Sequence, residues 1–195
     1  MSSDPVQSFP PLVAPGCRVL VLGSMPSVAS LDRQEYYGHA RNAFWPLMAG
    51  LFGFDATAPY EARCLALTSA GVAVWDVLHA CVRPGSLDSS IRRETEEPNR
   101  IDRLLVDYPS LHTLCFNGGK AEESWRRHFG RTDALAGLDP LPQTLRLPST
   151  SPAMASLTLD QKRARWRVVA EAAALDRPLA RDARGFGAEP AEAGQ

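Results

Sequence analysis

The chain has 195 residues, of which 45% are hydrophobic and 22% charged, a composition typical of one soluble globular domain with a sizeable core. No apolar run reaches the roughly 20 residues that cross a bilayer, and the Pro-rich start lacks the basic residues of a signal peptide, so we expect a cytoplasmic protein without a membrane partner. The net charge of -1 argues against a large nonspecific surface for polyanions, and the four cysteines lack the spacing of a zinc or iron–sulfur site, so we expect no metal and no cofactor.

Hydrophobic periodicity in the first half of the chain predicts a buried strand followed by helices. Residues 18–23 (RVLVLG) form an apolar, β-branched run that ends at glycine, which is typical of a buried strand opening into a loop. The loop over 24–41 is long and carries aromatic residues, and long loops in compact domains are usually functional. Two helices follow, one capped by Asn42 and continuing to Leu51, the other over 60–69.

The second half of the chain continues the alternation. Residues 71–78 predict a second buried strand, although Asp76 interrupts its apolar run. After a polar loop, the expected elements are a helix capped by Asn99, a strand over 111–116, a helix over 122–129, a short strand over 144–147, and a last helix that begins with a capping box of Thr158 and Gln161.

This order of elements predicts an α/β fold: a three-layer α/β/α sandwich around a mostly parallel, doubly wound central sheet. We assign the domain to residues 15–176 and expect the irregular ends, 1–14 and 177–195, to be disordered. Ligands of such sheets bind outside the carboxyl ends of the strands, so the loops that follow the strands are where function is expected.

Those loops carry polar residues among glycines, prolines and aromatic rings. A flipped nucleotide needs an aromatic face to stack on, hydrogen bonds to its edge, and backbone donors for the flanking phosphates. The chain offers candidates for all three in Gly23-Ser24-Met25-Pro26, Tyr36-Tyr37-Gly38-His39, Asp76, Asn117 and Ser149-Thr150-Ser151.

Five motifs stand in a characteristic order: GSMPS at 23–27, YYGHARNAFW at 36–45, GVAVWDV at 71–77, FNGG at 116–119 and LPSTSPA at 147–153. Together they resemble the hypoxanthine-DNA glycosylase family of the uracil-DNA glycosylase superfamily. The resemblance implies a DNA repair enzyme that hydrolyses the N-glycosidic bond of deaminated bases, chiefly hypoxanthine in deoxyinosine, and leaves an abasic site. Its partner would be DNA containing such bases, and we expect it to act as a monomer.

Asn42 is the catalytic residue that the resemblance implies. The superfamily usually places Asp or Asn directly after the first strand, where this chain has Ser24 and Met25. An amide is a poor base, but it can orient a water molecule for attack on the anomeric carbon of the sugar. The alternative role of Asn42 is only to cap the helix that follows it.

The base pocket implied by the resemblance has an aromatic and a polar part. We expect Phe44 to stack under the base and Tyr37 to shape the pocket beside Gly23 and Ser24. An ionised Asp76 would accept a hydrogen bond from N1–H of hypoxanthine, and the amide of Asn117 would donate to O6 or N7. The alternatives are a core position for Phe44, a buried ion pair for Asp76, and a simple turn at Asn117.

The remaining candidates lie in two polar loops that would contact the DNA backbone. The last loop resembles the superfamily's second motif, with Ser149, Thr150 and Ser151 near phosphate and Met154 as an apolar wedge; its alternative is a Ser/Pro turn. The loop after the second strand offers Ser86 and Ser89, with Asp88 between them, for phosphate or only for a turn.

Two other functions remain open for this sequence. One is a glycosylase that prefers uracil, and the other is a catalytically inactive nucleic-acid-binding module on the same fold. No lysine lies in the candidate site segments, which argues against a lyase that forms a Schiff base, so we expect a monofunctional glycosylase.

Overall fold

The computed structural model describes residues 4–130 and 133–175, in which strands and helices alternate. The strands are, in chain order, β1 (Val6–Gln7), β2 (Val19–Gly23), β3 (Val72–Asp76), β4 (Leu78–Cys81), β5 (Glu97–Pro98), β6 (Thr113–Asn117) and β7 (Gln143–Leu147). The helices are α1 (Val28–Arg33), α2 (Phe44–Phe52), α3 (Tyr60–Ser69), α4 (Ile101–Asp107), α5 (Gly119–His128) and α6 (Leu159–Ala173). Short 3-10 turns lie at Asp88–Ser90, Arg93–Thr95 and Asp133–Leu135.

The central sheet consists of four parallel strands in the order β3-β2-β6-β7. Every residue of β2 and β3 is buried, because helices cover both faces of the sheet. A strand that is buried on both faces needs a continuous apolar run rather than an alternating one, and this is the pattern from which these strands were predicted. The predicted parallel α/β fold is therefore confirmed.

The helices form the two outer layers of a sandwich. The chain runs from β2 to one edge of the sheet to form β3, and then crosses back to form β6 and β7. Because parallel crossovers are right-handed, these opposite directions put α2 and α3 on one face and α4 and α5 on the other. Helix α6 returns to the first face and packs on α2, where the rings of Phe44 and Trp166 are 6.4 Å apart.

Residues 4–14 are ordered, and the prediction that this segment is disordered is wrong. Strand β1 pairs antiparallel with β4, which also pairs with β5 in a second, small sheet. Leu12 forms a backbone bridge with Val74, and the indole of Trp75 donates to the carbonyl oxygen of Phe9 at 2.9 Å. These partners are distant in sequence, so the irregular composition of the segment does not reveal them. The predicted disorder of 177–195 lies outside the described residues.

Three local features differ from the sequence predictions. The loop over 24–41 contains helix α1, whose first turn is capped by the side chain of Ser27. The second buried strand ends at Asp76, and β4 begins at Leu78. Asn99 does not cap α4: its side-chain amide donates to the carbonyl oxygens of Asp76 and Leu78, and so holds the junction between β3 and β4.

The capping box that opens α6 is confirmed. The Thr158 hydroxyl accepts from the backbone N–H of Gln161, and the Gln161 side chain accepts from the backbone N–H of Thr158. None of the helices within 4–130 and 133–175 combines the length and apolar character needed to span a membrane.

Candidate active site

The carboxyl ends of the parallel strands open into a cleft of about 370 Å³. Gly23 at the end of β2 lies in register with Asp76 at the end of β3, and Asn117 at the end of β6 lies in register with Leu147. The connections leave β2 and β6 in opposite directions, so the cleft occupies the switch point at which doubly wound sheets bind ligands.

Most residues that the sequence proposed for the site line this cleft: Gly23, Ser24, Tyr37, Asn42, Asp76, Ser86, Ser89, Asn117, Ser149, Thr150, Ser151 and Met154. Gly38, His39 and Phe44 are not among the lining residues. Leu87 and Asp88 complete the rim on one side. The topology brings together segments that are up to about 130 residues apart, from Gly23 to Met154, because each follows the carboxyl end of a neighbouring strand.

Gly23 allows the carboxyl group of Asp76 and the hydroxyl of Tyr37 to meet above the end of β2. A Cβ atom at Gly23 would collide with Asp76 Oδ1 and would lie 3.4 Å from the Tyr37 hydroxyl oxygen. The Tyr37 hydroxyl is buried and has no hydrogen-bond partner among the described residues. Burial raises the pKa of Tyr37, and the neighbouring Asn117 lowers it by less. Only glycine leaves room for this arrangement.

The surroundings of Asp76 favour its neutral acid form, whereas the sequence led us to expect an ionised carboxylate. The residue is 4% exposed, and its Oδ2 has no hydrogen-bond partner among the described residues. Burial, together with the nearby charge of Asp88, raises the pKa of Asp76 to about 8, and Arg83 lowers it only in part. The alternative of a buried ion pair is also excluded, since no salt bridge to Asp76 forms in the described part of the chain.

Arg83 holds the loops on this side of the cleft, and no pattern in the sequence points to it. Its guanidinium is buried and donates to the carbonyl oxygens of Met25, Pro26 and Gly85. Desolvation by burial lowers the pKa of Arg83, but an arginine stays charged at any physiological pH. One side chain thus ties the loop after β2 to the loop after β4.

Some polar groups of the loop after β4 form hydrogen bonds within the protein. The Ser24 hydroxyl donates to Asp88 Oδ1 at 2.6 Å, and the Ser86 hydroxyl oxygen accepts from the backbone N–H of Val28 at 3.0 Å. Ser86 therefore caps the start of α1 in this structure, whereas the exposed Ser89 keeps its hydroxyl at the rim of the cleft. The fixed geometry of this loop supports the wall that contains Asp76.

Asn42 contacts the start of α2 and also lines the cleft, so its position is compatible with both roles that the sequence left open. Its Oδ1 accepts from the backbone N–H of Phe44 at 3.0 Å, which stabilises the start of α2 one residue before the formal N-cap, Ala43. The same side chain lines the cleft, and its Nδ2 and the second lone pair of Oδ1 are available there. His39, by contrast, is not part of the lining and accepts from the backbone N–H of Arg41.

Phe44 lies behind the cleft rather than in its wall, so the prediction that it stacks directly on a base is not supported. It is completely buried, and its ring stacks on that of Tyr37 with a centroid distance of 3.9 Å and an interplanar angle of 23°. Tyr37, which adopts the left-handed backbone conformation with φ of 56°, lines the cleft, as does the more deeply buried Tyr36. The aromatic face of the pocket is therefore Tyr37, supported from behind by Phe44.

Asn117 binds the last loop through both ends of its amide. Its Oδ1 accepts from the backbone N–H of Thr150 and its Nδ2 donates to the Thr150 hydroxyl, both at 2.8 Å. The carbonyl oxygen of Thr150 in turn accepts from the backbone N–H of Ala43, beside Asn42. Asn117 thus helps to position the segment that contains Asn42, and one N–H of its Nδ2 remains for a ligand.

The segment 149–154 is held by the helix that follows it. The Nζ atom of Lys162, a buried residue of α6, donates to the carbonyl oxygen of Met154 at 3.0 Å, and the indole of Trp166 donates to that of Pro148. Met154 itself is 39% exposed at the mouth of the cleft. An exposed apolar side chain is therefore held on a fixed backbone at the rim.

Comparisons with known proteins agree with this geometry. A family profile described as the uracil DNA glycosylase superfamily matches residues 10–173. A hypoxanthine DNA glycosylase of Methanosarcina barkeri is 36% identical over 118 residues, which are 60% of this chain and 73% of the relative. Its counterpart from Methanosarcina acetivorans is 37% identical over the same shares. A solution NMR structure of a candidate uracil DNA glycosylase from Methanosarcina acetivorans superposes with a TM-score of 0.66 at 31% identity, over 85% of this chain and 99% of that one.

Proposed function

We propose that this chain, which belongs to the uracil DNA glycosylase superfamily, is a monofunctional DNA glycosylase that excises deaminated bases, chiefly hypoxanthine, and leaves an abasic site. One observation carries the proposal: the cleft at the switch point of the sheet brings Asn42, Asp76 and Asn117 together around the ring of Tyr37. These are the groups that a flipped base requires, namely an aromatic face and polar side chains for its edge.

Hydrolysis in this cleft would proceed by water attack on a sugar that is losing its base. The oxygen of a water molecule bonds to C1′ while the bond from C1′ to N9 of hypoxanthine breaks, and the bonding electron pair leaves with the base. The attacking oxygen then loses a proton to solvent and the departing base takes up a proton from solvent, which gives neutral hypoxanthine and the abasic sugar. Asn42, whose Oδ1 keeps one lone pair, orients the water but removes no proton early in the reaction. Because an amide is a poor base, the activation barrier must be lowered mainly by stabilisation of the leaving base.

The loops on the rim would hold the DNA on either side of the extruded nucleotide. Ser149 and Ser151 offer hydroxyls, and the exposed Ser89 offers another on the opposite rim. Met154 is placed to fill the space that the extruded base leaves in the duplex. Their position at the mouth of the cleft supports the proposed roles in phosphate binding and wedging.

We also propose that the protein works as a monomer in the cytoplasm. The cleft is formed entirely by this chain, so catalysis needs no second subunit. The four cysteines are free thiols, of which Cys17, Cys81 and Cys115 are buried, as is usual in a reducing compartment. Size-exclusion chromatography with light scattering tests the oligomeric state directly.

A second function is favoured by a specific observation at the first motif. Where the superfamily usually has a water-activating residue, Ser24 donates to Asp88 and so is engaged in a structural hydrogen bond. A chain without that group could bind damaged DNA and not cleave it. A preference for uracil is the other alternative, supported by the name of the NMR structure.

Single-turnover excision separates these functions. Matched duplexes carry one deoxyinosine or one deoxyuridine, and the proteins are the wild type, Asn42→Ala and Asn42→Asp. We expect the wild type to form abasic sites at deoxyinosine, and Asn42→Ala to be slower by about a hundredfold or more, because the water loses its orienting group. Asn42→Asp keeps an acceptor for the Phe44 N–H and therefore serves as the control for loss of the helix cap.

The remaining outcomes identify the alternatives. Excision of uracil in preference to hypoxanthine would make the chain a uracil glycosylase. Tight binding of the deoxyinosine duplex by folded protein, with no abasic sites from either substrate, would leave the binding module as the function. Equal losses in Asn42→Ala and Asn42→Asp, together with unchanged thermal stability, would show that Asn42 needs its amide N–H groups rather than its oxygen.

A further inference from the structure

The carboxyl group of Asp76 lies in the wall of the cleft without the partners that a carboxylate needs. The residue is almost completely buried, and Oδ2 accepts no hydrogen bond from the described part of the chain. Taking an ionised carboxylate out of water is costly unless cations or N–H donors surround it. The surroundings of Asp76 therefore favour the neutral acid.

The charged and titratable groups around Asp76 leave this conclusion unchanged. Arg83 attracts the ionised form through space, but three of its five N–H groups donate to backbone carbonyls and it forms no salt bridge with Asp76 among the described residues. Asp88 adds a second negative charge on the same side and opposes ionisation. The phenols of Tyr36 and Tyr37 are themselves held neutral by burial and by the charge that Asp76 would carry. The group in the wall is thus a hydrogen-bond donor as well as an acceptor.

We propose that Asp76 reads the base as a neutral acid, with its hydroxyl donating to O6 of hypoxanthine and its other oxygen accepting from N1–H. This inference rests on the proposed glycosylase function. The O6 carbonyl and N1–H of hypoxanthine form a lactam edge with one acceptor and one donor side by side. A protonated carboxyl group has the complementary pair, so two hydrogen bonds form at once.

The protonated state also suits the chemistry of bond cleavage. As the bond from C1′ to N9 breaks, negative charge spreads over the departing base and reaches O6. A neutral donor at O6 binds that charge more tightly in the transition state than in the ground state, which lowers the barrier. An ionised carboxylate at the same place would repel the charge that develops. Asp76 need not give up its proton, because the hydrogen bond strengthens without a net transfer.

The pH dependence of excision tests this role. The pKa of Asp76 is raised to about 8, so the wild-type rate on deoxyinosine duplexes should fall through that pH and then by about tenfold for each further unit. Asp76→Asn keeps one donor and one acceptor but cannot ionise, so its rate should not show this fall. Asp76→Ala, which removes both groups, should be slow at every pH. Single-turnover rates from about pH 6 to about pH 10 give the three profiles.

Asp76→Asn also controls for ionisation of the substrate. The N1–H group of hypoxanthine is a weak acid, and loss of this proton at high pH would slow both proteins alike. Parallel profiles for the wild type and Asp76→Asn would overturn the proposal, as would a wild-type rate that stays constant above pH 8. If no protein excised any base at any pH, the proposed function would fail instead. The two failures are therefore distinguishable.

A measurement on the wild type guards against misfolded variants. Difference infrared spectroscopy follows the carbonyl stretch of protonated carboxyl groups in the free protein as the pH rises. We expect a carboxyl group to lose its proton near pH 8, well above the ordinary range of an aspartic acid, and we expect Asp76→Asn to lack this signal. Titration of every carboxyl group in the ordinary acidic range would overturn the proposal without any substituted protein.

Discussion

Gly23 shows how a single residue determines the geometry of the cleft. The sequence identifies it as a pocket residue, because it ends the first buried strand. The reason that it must be glycine appears only in three dimensions, where Asp76 Oδ1 occupies the space that a Cβ would need. Because Gly23 has no side chain, the carboxyl group of Asp76 can occupy this space.

Replacement of Gly23 by alanine should therefore slow excision strongly without unfolding the protein. The new methyl group must push the Asp76 carboxyl away from its position, and displacement of a group at the reacting base costs about a hundredfold in rate. Overpacking of this kind costs about 1–3 kcal/mol of stability. Gly137→Ala is the matched control, because a Cβ at Gly137 would meet nothing within 4 Å. A Gly23→Ala protein as fast as Gly137→Ala would contradict this account of the cleft.

At the scale of residues, the sequence predicted where polar groups lie better than what they bind. Asn117 was expected to contact the base, but its amide mainly holds Thr150, which is 33 positions later in the chain. Phe44 was expected in the cleft wall and instead supports Tyr37. The partners of a side chain depend on how distant segments meet, and no local pattern encodes that. Arg83 was missed for the same reason, since all its acceptors are backbone carbonyls.

At the scale of elements, the loop between β7 and α6 is built to present an apolar side chain at the mouth of the cleft. Asn117 fixes the start of this loop, and Lys162 and Trp166 fix its backbone from the side of α6. The capping box of Thr158 and Gln161 then begins the helix that carries these two anchors. A rigid loop loses little conformational freedom when DNA binds, which favours insertion of its exposed side chain.

Met154→Ala should therefore slow excision from duplex DNA much more than excision from single-stranded DNA. Only the duplex has a stack that closes over the gap when a base is extruded, and the methionine side chain would fill that gap. The measurement is the ratio of single-turnover rates on the two forms of one deoxyinosine oligonucleotide. Leu159→Ala is the control, because Leu159 is 38% exposed, against 39% for Met154, and does not line the cleft. Equal slowing on both forms of DNA would show that Met154 is not a wedge.

The elements that the sequence predicted best are the long or strongly patterned ones. Helix α3 matches its prediction of 60–69, and the strands β2 and β6 match within two residues. Helix α1 was missed because its six residues are too short to show a clear apolar period. Strand β1 was missed because two residues carry no pattern at all, and its formation depends on pairing with β4 about 70 residues later.

At the scale of the whole molecule, alternation of strands and helices was enough to predict the sandwich, since the handedness of crossovers leaves few arrangements open. The position of the cleft then follows from the strand order. The protonation state of Asp76 does not follow from the strand order. It depends on the burial of the carboxyl group and on the absence of donors around it among the described residues. The raised pKa of a buried carboxyl group affects folding stability as well as catalysis.

The stability of the protein should therefore depend on pH in a way that Asp76→Asn removes. The raised pKa of about 8 keeps the proton on Asp76 in the folded protein, whereas in the unfolded chain the group has the ordinary aspartate pKa of 3.8. Between these values the folded state binds more protons than the unfolded state, so the free energy of unfolding falls as the pH rises, by at most about 1.4 kcal/mol per unit. Below this window the contribution is fully present, and above it the loss is complete.

Urea denaturation of the two proteins at several pH values isolates this effect, because all other groups titrate alike in both. The stability of Asp76→Asn relative to the wild type should increase steadily from about pH 4 to about pH 8 and then stay constant. Any cost of placing an amide in the wall is independent of pH and shifts the whole difference curve without changing its slope. A difference that is constant across the window would mean that Asp76 ionises normally in the folded protein. The expected increase would mean that the wild type loses stability at neutral pH by keeping a neutral donor in the cleft, and the total change of the difference between about pH 4 and neutral pH measures that loss.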